Sequence, residues 1–120
     1  MAKAAEPAAS PPKIIWNERE SKFETEDKRA YLQYYLRDVT PTVEEDEKRK
    51  ITVMDMVHTF VPGSKRGLGL ANRLCAAAFD HARRNSLFVV PTCSYISDTF
   101  LPRNPSWMSV VYSEDLKSSM

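Results

Sequence analysis

A chain of 120 residues is long enough for one domain with its own hydrophobic core, and too short to add a separate substrate domain. Its 17 basic and 16 acidic side chains nearly cancel to a net charge of +1, which leaves no broad positive field for a nucleic acid. No apolar run reaches the roughly 18 residues of a membrane span, and the first residues lack the apolar core of a secretory signal. The two cysteines have neither metal-ligand spacing nor a disulfide framework. The composition therefore predicts a soluble intracellular protein that binds no metal, nucleic acid or membrane.

The first part of the chain has the pattern of an antiparallel meander. Residues 1–12 are rich in Ala and Pro without periodicity, which predicts a disordered leader before a single domain over residues 13–113. Strands are predicted at Ile14–Asn17, Lys22–Thr25 and Arg29–Val39. One face of the third strand is predicted to be formed by the alternating residues Ala30, Leu32, Tyr34 and Leu36.

The second part predicts a strand, a helix and a strand in succession. Thr40–Lys50 is polar and predicts an exposed hairpin loop, after which Ile51–Val61 predicts a long strand that is apolar on both faces. Arg66–Asn85 has the apolar period of a helix that packs small residues flat on a sheet. Leu87–Val90 predicts a strand covered on both faces, so the three elements form a right-handed parallel crossover in a mixed α/β fold. Ser94 onwards predicts short helical turns, and residues 114–120 predict a flexible tail.

The loop that enters the predicted helix has the composition of an anion site. A helix start leaves backbone N–H groups unpaired and carries partial positive charge, so a pyrophosphate group fits there. Gly67 and Gly69 let the backbone come close, while Lys65 and Arg66 add full charges. The glycines match neither a P-loop nor a dinucleotide fingerprint. The residues alone therefore predict a phosphate-bearing ligand without specifying its kind.

Three segments together resemble the GNAT superfamily of acetyl-CoA-dependent N-acetyltransferases, in particular its minimal single-domain members. They are V-H-T-F-V-P-G-S-K-R-G-L-G-L-A from Val57, V-V-P-T-C-S-Y-I from Val89 and F-L-P-R-N-P-S-W from Phe100, and P-R-N-P-S-W recurs in a plant member of that group. The resemblance covers about Ile14 to Trp107 and implies a GNAT-like fold, acetyl-CoA as the acetyl donor and an amine as the acceptor. Ser64 stands where the family has Arg or Gln.

The resemblance also implies how CoA is bound. The backbone N–H groups of Arg66 through Leu70 would hold the pyrophosphate, and the strand edge at Val57–Phe60 would pair with the pantetheine arm. The thioester would lie where that strand and Leu87–Cys93 diverge. The residues predicted to bind CoA are Val57, Thr59, Phe60, Lys65, Arg66, Gly67, Leu68, Gly69, Leu70 and Ala71, with Phe100, Arg103 and Asn104 at the nucleotide end.

Three side chains are candidates for the chemistry. Cys93 ends the buried strand, where a thiolate would accept the acetyl group covalently; the alternative is a small buried hydrophobe. His58 is either the base for Cys93 or a hydrogen-bonded core histidine. Tyr95 is either the acid for the departing CoA thiolate, as tyrosine is in many relatives, or a packed ring. His81 and Cys75 are assigned to packing.

Three functions remain open from the sequence. The leading prediction is an acetyl-CoA-dependent N-acetyltransferase for a primary amine, such as a lysine in a basic histone-like tail. The second is a CoA- or acyl-CoA-binding module with little catalysis, and the third is an interaction fold without CoA. The chain is predicted to be a monomer or weak dimer. Its terminal Ser118-Ser119-Met120 resembles a peroxisomal address, with the cytoplasm or nucleus as the alternative.

Overall fold

The fold is a five-stranded mixed sheet with one long helix packed on one face. The computed structural model describes residues 13–39, 51–63 and 69–112. The strands are β1 (Ile14–Asn17), β2 (Lys22–Thr25), β3 (Tyr31–Val39), β4 (Ile51–Phe60) and β5 (Phe88–Val90), and the helix is α1 (Leu70–Arg84). They lie in the order β1-β2-β3-β4-β5, with antiparallel pairing up to β4 and parallel pairing of β4 with β5. The predicted meander, followed by a parallel strand-helix-strand unit, is confirmed.

The hydrophobic core lies between α1 and the sheet face that it covers. Leu32, Met54 and Met56 from the sheet meet Leu74 and Phe79 from the helix, and all five are fully buried. This burial supplies most of the stability of an amphipathic helix that has no capping side chain at its start. The opposite sheet face, which we call the open face, has no helix packed on it in the described part of the chain.

The ends of α1 follow from its flanking residues. Gly69 has a φ of 72°, in the left-handed region that favours glycine, so it precedes the helix rather than lying within it. The described helix thus begins at Leu70, and the prediction that its helical turns include Gly69 was wrong. At the other end the Asn85 backbone N–H donates to the carbonyl of His81 at 3.1 Å, one residue beyond the helix.

Three predictions, two for β3 and one for β5, need correction. β3 begins at Tyr31 rather than Arg29, because Lys28, with a φ of 63°, is in a turn closed by its N–H bond to Thr25 O. Leu36 is 56% exposed instead of facing the core, because no described element covers the half of β3 in which it lies. In β5 only Val89 is fully buried, whereas Phe88 and Val90 are half-buried, so the prediction of full cover on both faces was wrong.

The chain after β5 forms short helical turns, as predicted. A π-helical turn at Ile96–Phe100 continues into Leu101–Arg103, and a 3-10 helix follows at Pro105–Val110. The Tyr112 N–H then returns to Val89 O at 2.8 Å. No helix among the described residues is long and apolar enough to span a membrane. The predicted leader, the Thr40–Lys50 loop and the tail at 114–120 lie outside the described residues.

Candidate functional site

The two parallel strands β4 and β5 pair briefly and then separate. They pair from Val53 with Phe88 to Asp55 with Val90. One further link is the bond from the Cys93 N–H to the Met56 carbonyl, at 2.9 Å. Within residues 13–39, 51–63 and 69–112, no strand pairs with β4 on this side from position 57 to 60. The result is an open strand edge that suits a ligand able to form backbone hydrogen bonds.

A β-bulge lies at the start of this open edge. On β3, Gln33 pairs with His58 whereas the next residue, Tyr34, pairs with Met56, so Val57 is an extra residue on β4. A bulge re-aims the side chains that follow it. Here it turns Thr59 toward the α1 side of the sheet and places His58 on the open face.

Four side chains meet on the α1 side of the open edge. Cys93 Sγ lies 3.5 Å from Thr59 Oγ1 and donates a hydrogen bond to it, and the Cys75 side chain also hydrogen-bonds Thr59. Tyr95 packs against the core beside them and interacts electrostatically with both thiols. We call Thr59, Cys75, Cys93 and Tyr95 the thiol–hydroxyl cluster.

Burial controls the protonation of two members of this cluster. It raises the pKa of Cys75 to about 12, with a smaller contribution from Cys93 and an opposing one from the Thr59 hydrogen bond. Burial and the nearby Cys75 also raise the pKa of Tyr95, while Arg103 acts in the opposite direction. Cys75 is therefore a neutral thiol and Tyr95 a neutral phenol at pH 7. Each can donate a proton, and neither is a ready nucleophile or base.

The structure does not bring His58 to Cys93. His58 is exposed on the open face, where its ring lies 5.9 Å from the ring of Tyr31. Phe60 contacts the same tyrosine at 5.8 Å. Because adjacent strand residues point to opposite faces, Thr59 reaches the thiol instead. The predicted pairing of His58 as a base for Cys93 is absent from this structure.

The start of α1 presents backbone rather than side-chain groups to a ligand. Leu70 is buried, no side chain caps the helix, and its first turn contains no acidic residue. The first N–H groups of a helix lack partners within it and carry partial positive charge, so this end favours an anion. Of the predicted pyrophosphate loop, Lys65 to Leu68 lie outside the described residues, as does Ser64.

The three residues predicted at the nucleotide end have different positions. Phe100 is only 1% exposed and its ring lies 5.3 Å from that of Phe79, so it is a core residue and cannot line a ligand site. Arg103 is exposed. Asn104 Nδ2 donates to Asn72 Oδ1 at 3.3 Å, which places Asn104 beside the first turn of α1. Arg103 and Asn104 therefore remain compatible with a ligand at that end, and Phe100 does not.

Packing explains the other histidine, while Cys75 has a second role that the sequence did not reveal. The His81 ring lies 4.2 Å from Trp16 and 5.5 Å from Phe23, which confirms that it packs. Cys75 is fully buried as predicted, yet it also contacts the hydroxyl that Cys93 contacts. Its helix position carried no signal for this, because the contact depends on the bulge that turns Thr59 inward.

The described residues contain no group of three or more His, Cys, Asp or Glu side chains arranged to hold a metal ion.

Comparison with known families agrees with this architecture. A family model described as GCN5-related N-acetyl-transferase matches residues 20–110. The match covers about three quarters of the chain, from β2 through the 3-10 helix, and includes the open edge of β4 and the thiol–hydroxyl cluster.

Proposed function

The chain belongs to the GCN5-related N-acetyltransferase family, and we propose that it transfers the acetyl group of acetyl-CoA to a primary amine at the open edge of β4. Membership supports acetyltransferase activity in general, with acetyl-CoA as the donor. One juxtaposition carries the finer proposal: where β4 and β5 separate, the open edge at 57–60 lies beside the thiol–hydroxyl cluster, whose Cys75 is in the second turn of α1.

Binding of acetyl-CoA uses backbone groups at two places. The pyrophosphate lies at the start of α1, whose first turn contains no acidic side chain. Lys65 and Arg66, which precede the helix in the sequence, carry positive charge. The pantetheine arm lies along β4 from Val57 to Phe60 and forms hydrogen bonds with its open edge, as an added strand would. This arrangement directs the thioester toward Cys93 and Tyr95.

Transfer is direct in this proposal. The neutral amine attacks the thioester carbonyl carbon, a C–N bond forms, and the C–S bond breaks with its electron pair on the CoA sulfur. The Tyr95 phenol gives its proton to that sulfur, the nitrogen that attacked loses a proton to water, and water returns a proton to the Tyr95 phenolate. The raised pKa of Tyr95 supports this role, since it keeps the phenol protonated. Backbone N–H groups near the bulge polarise the carbonyl.

The position of His58 argues against the covalent alternative. A cysteine nucleophile needs a neighbouring base or another cause of thiolate formation. His58 lies on the other face of the sheet, and the Cys93 thiol instead donates to the neutral Thr59 hydroxyl. We therefore assign Cys93 to shaping the acetyl site rather than to carrying the acetyl group.

The acceptor class is tested with a panel of amines. The protein is incubated with acetyl-CoA and one of three acceptors: a lysine-containing basic peptide with a blocked N-terminus, the same blocked peptide with Arg in place of Lys, or a small primary amine. Free CoA and acetylated product are then quantified by mass spectrometry. The proposal predicts equal amounts of CoA and acetylated amine, with no product from the Arg peptide.

Two other outcomes would overturn the proposal. A rise in the melting temperature with acetyl-CoA, but no turnover across the panel, would support the CoA-binding module. The absence of both a thermal shift and turnover would support the interaction fold without CoA.

A further inference from the structure

A polar bridge on the open face connects three parts of the sheet near Cys93. Arg37 on β3 donates from Nε to Asp55 Oδ2 at 3.2 Å, and its Nη2 lies 3.2 Å from the same oxygen. The other carboxylate oxygen of Asp55, on β4, accepts a bond of 2.5 Å from the hydroxyl of Thr92, just after β5. The Asp55 side chain is only 16% exposed, so water screens this charge-assisted bridge weakly.

The bridge ends at the residue next to Cys93. The Thr92 side chain reaches Asp55 on the open face, whereas the Cys93 side chain reaches Thr59 on the α1 side. Between them, the Cys93 N–H is bonded to Met56 O at 2.9 Å. The turn is thus held to β4 twice: by the backbone bond from Cys93 to Met56 and, on the open face, by the bond from the Thr92 hydroxyl to Asp55.

The thiol itself is held weakly. Its contact with Thr59 is 3.5 Å long, and hydrogen bonds donated by a thiol are weak. The Cys93 carbonyl accepts from Ile96 N at 3.0 Å, which orients the chain after Cys93 but does not restrain the chain before it. Before Cys93, the backbone is held by the bond from the Cys93 N–H to Met56 O and by the bond from the Thr92 N–H to Val90 O at 3.0 Å. The bond from the Thr92 hydroxyl to Asp55 adds a side-chain restraint next to the thiol.

We propose that Asp55 is a positioning residue that sets the Cys93 thiol against β4 through the hydroxyl of Thr92, with Arg37 holding the carboxylate in place. The consequence for turnover rests on the proposed function, which places the acetyl group beside Cys93. The position of the thiol, by contrast, can be measured in the free protein.

The test compares Thr92→Val, which removes the hydroxyl at nearly constant volume, with Thr92→Ser, which keeps it. The rate of alkylation by iodoacetamide is measured by tryptic mass spectrometry. Trypsin separates the two thiols, because Cys75 lies in the peptide 74–83 and Cys93 in the peptide 85–103. We expect Thr92→Val to raise the Cys93 rate about tenfold, as loss of a charge-assisted bond implies, and Thr92→Ser to stay within about twofold of wild type.

A matched control exists on the same two strands. Asp38 on β3 accepts a bond from the Thr52 hydroxyl on β4 at 2.9 Å, beyond the far end of the β4–β5 pairing from Cys93. Asp55→Ala should behave like Thr92→Val, and Asp38→Ala like wild type. A wild-type Cys93 rate in either Thr92→Val or Asp55→Ala would overturn the proposal, as would an equal increase in Asp38→Ala.

Turnover provides a separate readout. In the active enzyme, Thr92→Val is expected to lower kcat about threefold, no more than Cys93→Ala does, while the KM for acetyl-CoA is unchanged, and Thr92→Ser to restore kcat. A wild-type protein without turnover would refute the proposed function, and the alkylation rates would still decide the role of Asp55. Normal alkylation of Cys93 in Thr92→Val would refute that role even in an active enzyme.

Discussion

Replacing Tyr95 by Phe tests the proposed proton donor with little disturbance of the fold. The ring is half-buried against the core and Phe retains it, so we expect stability to change by less than about 0.5 kcal/mol, roughly 3 °C in the melting temperature. A general acid contributes about 10²–10⁴ to a rate. Because water can also protonate a thiolate, we expect the lower end, a loss of about a hundredfold in kcat, or about 2.7 kcal/mol of transition-state stabilisation.

The assay is kcat from CoA release between pH 7 and about 11. Because burial raises the pKa of Tyr95 above its ordinary value of 10, the wild type should lose activity through this group only above that pH, as the phenol ionises. The variant should lack that alkaline loss. Tyr35→Phe, at an exposed ring on β3, is the matched control and should behave as wild type. A Tyr95→Phe kcat within twofold of wild type from pH 7 to 9 would refute the assignment of Tyr95 as the acid.

Three further predictions follow from the core and the site. Cys93→Ala should lower kcat by less than about tenfold, because the thiol does not carry the acetyl group, and the intact wild-type mass should gain no acetyl from acetyl-CoA alone. Leu74→Ala, at a fully buried position of α1, should lower the free energy of unfolding measured in urea by about 2–5 kcal/mol. A loss below about 1 kcal/mol would contradict the packing described. Burial lowers the pKa of His81, against the opposing influence of Glu18 and Asp80. As the pH falls, the unfolded chain therefore takes up the proton before the folded protein does. The contribution of His81 to stability is full above about pH 6.5 and is lost as the pH falls through the lowered pKa. His81→Gln should therefore flatten the fall of melting temperature between pH 7 and 5, and an unchanged slope would refute this.

Local sequence patterns predicted most of the fold because its elements are local. β1 and β2 have the predicted bounds, since each is a short run bounded by turn residues, and Ser21 adopts the positive φ of 58° that closes their hairpin. The small-residue face of α1 could also be predicted, because its 3.6-residue period is uninterrupted. Leu36 shows the limit of such patterns: alternation gives the face of a strand, but whether another element covers that face depends on tertiary packing.

The bulge at Val57 explains why the candidate site was harder to predict. Simple alternation from Met54 and Met56 places His58 on the same face as those buried residues, and therefore beside Cys93. The extra residue reverses the alternation, so that Thr59 takes the position expected of His58. A bulge of this kind depends on pairing with β3 and has no signature in the local sequence of β4. The bond between Asp55 and Thr92 likewise joins residues 37 positions apart.

The central claim, that acetyl-CoA binds where β4 and β5 separate, is tested most directly by titrating ¹⁵N-labelled protein with acetyl-CoA and mapping the amide chemical shifts. We predict the largest changes at residues 57–60 of β4, at Gly69–Asn72 and at Cys93 and Tyr95, with small changes in β1 and β2. The claim would be contradicted by the absence of changes at saturating acetyl-CoA. Changes centred instead on the surface groove lined by Leu101, Pro105 and Met108 would contradict it equally.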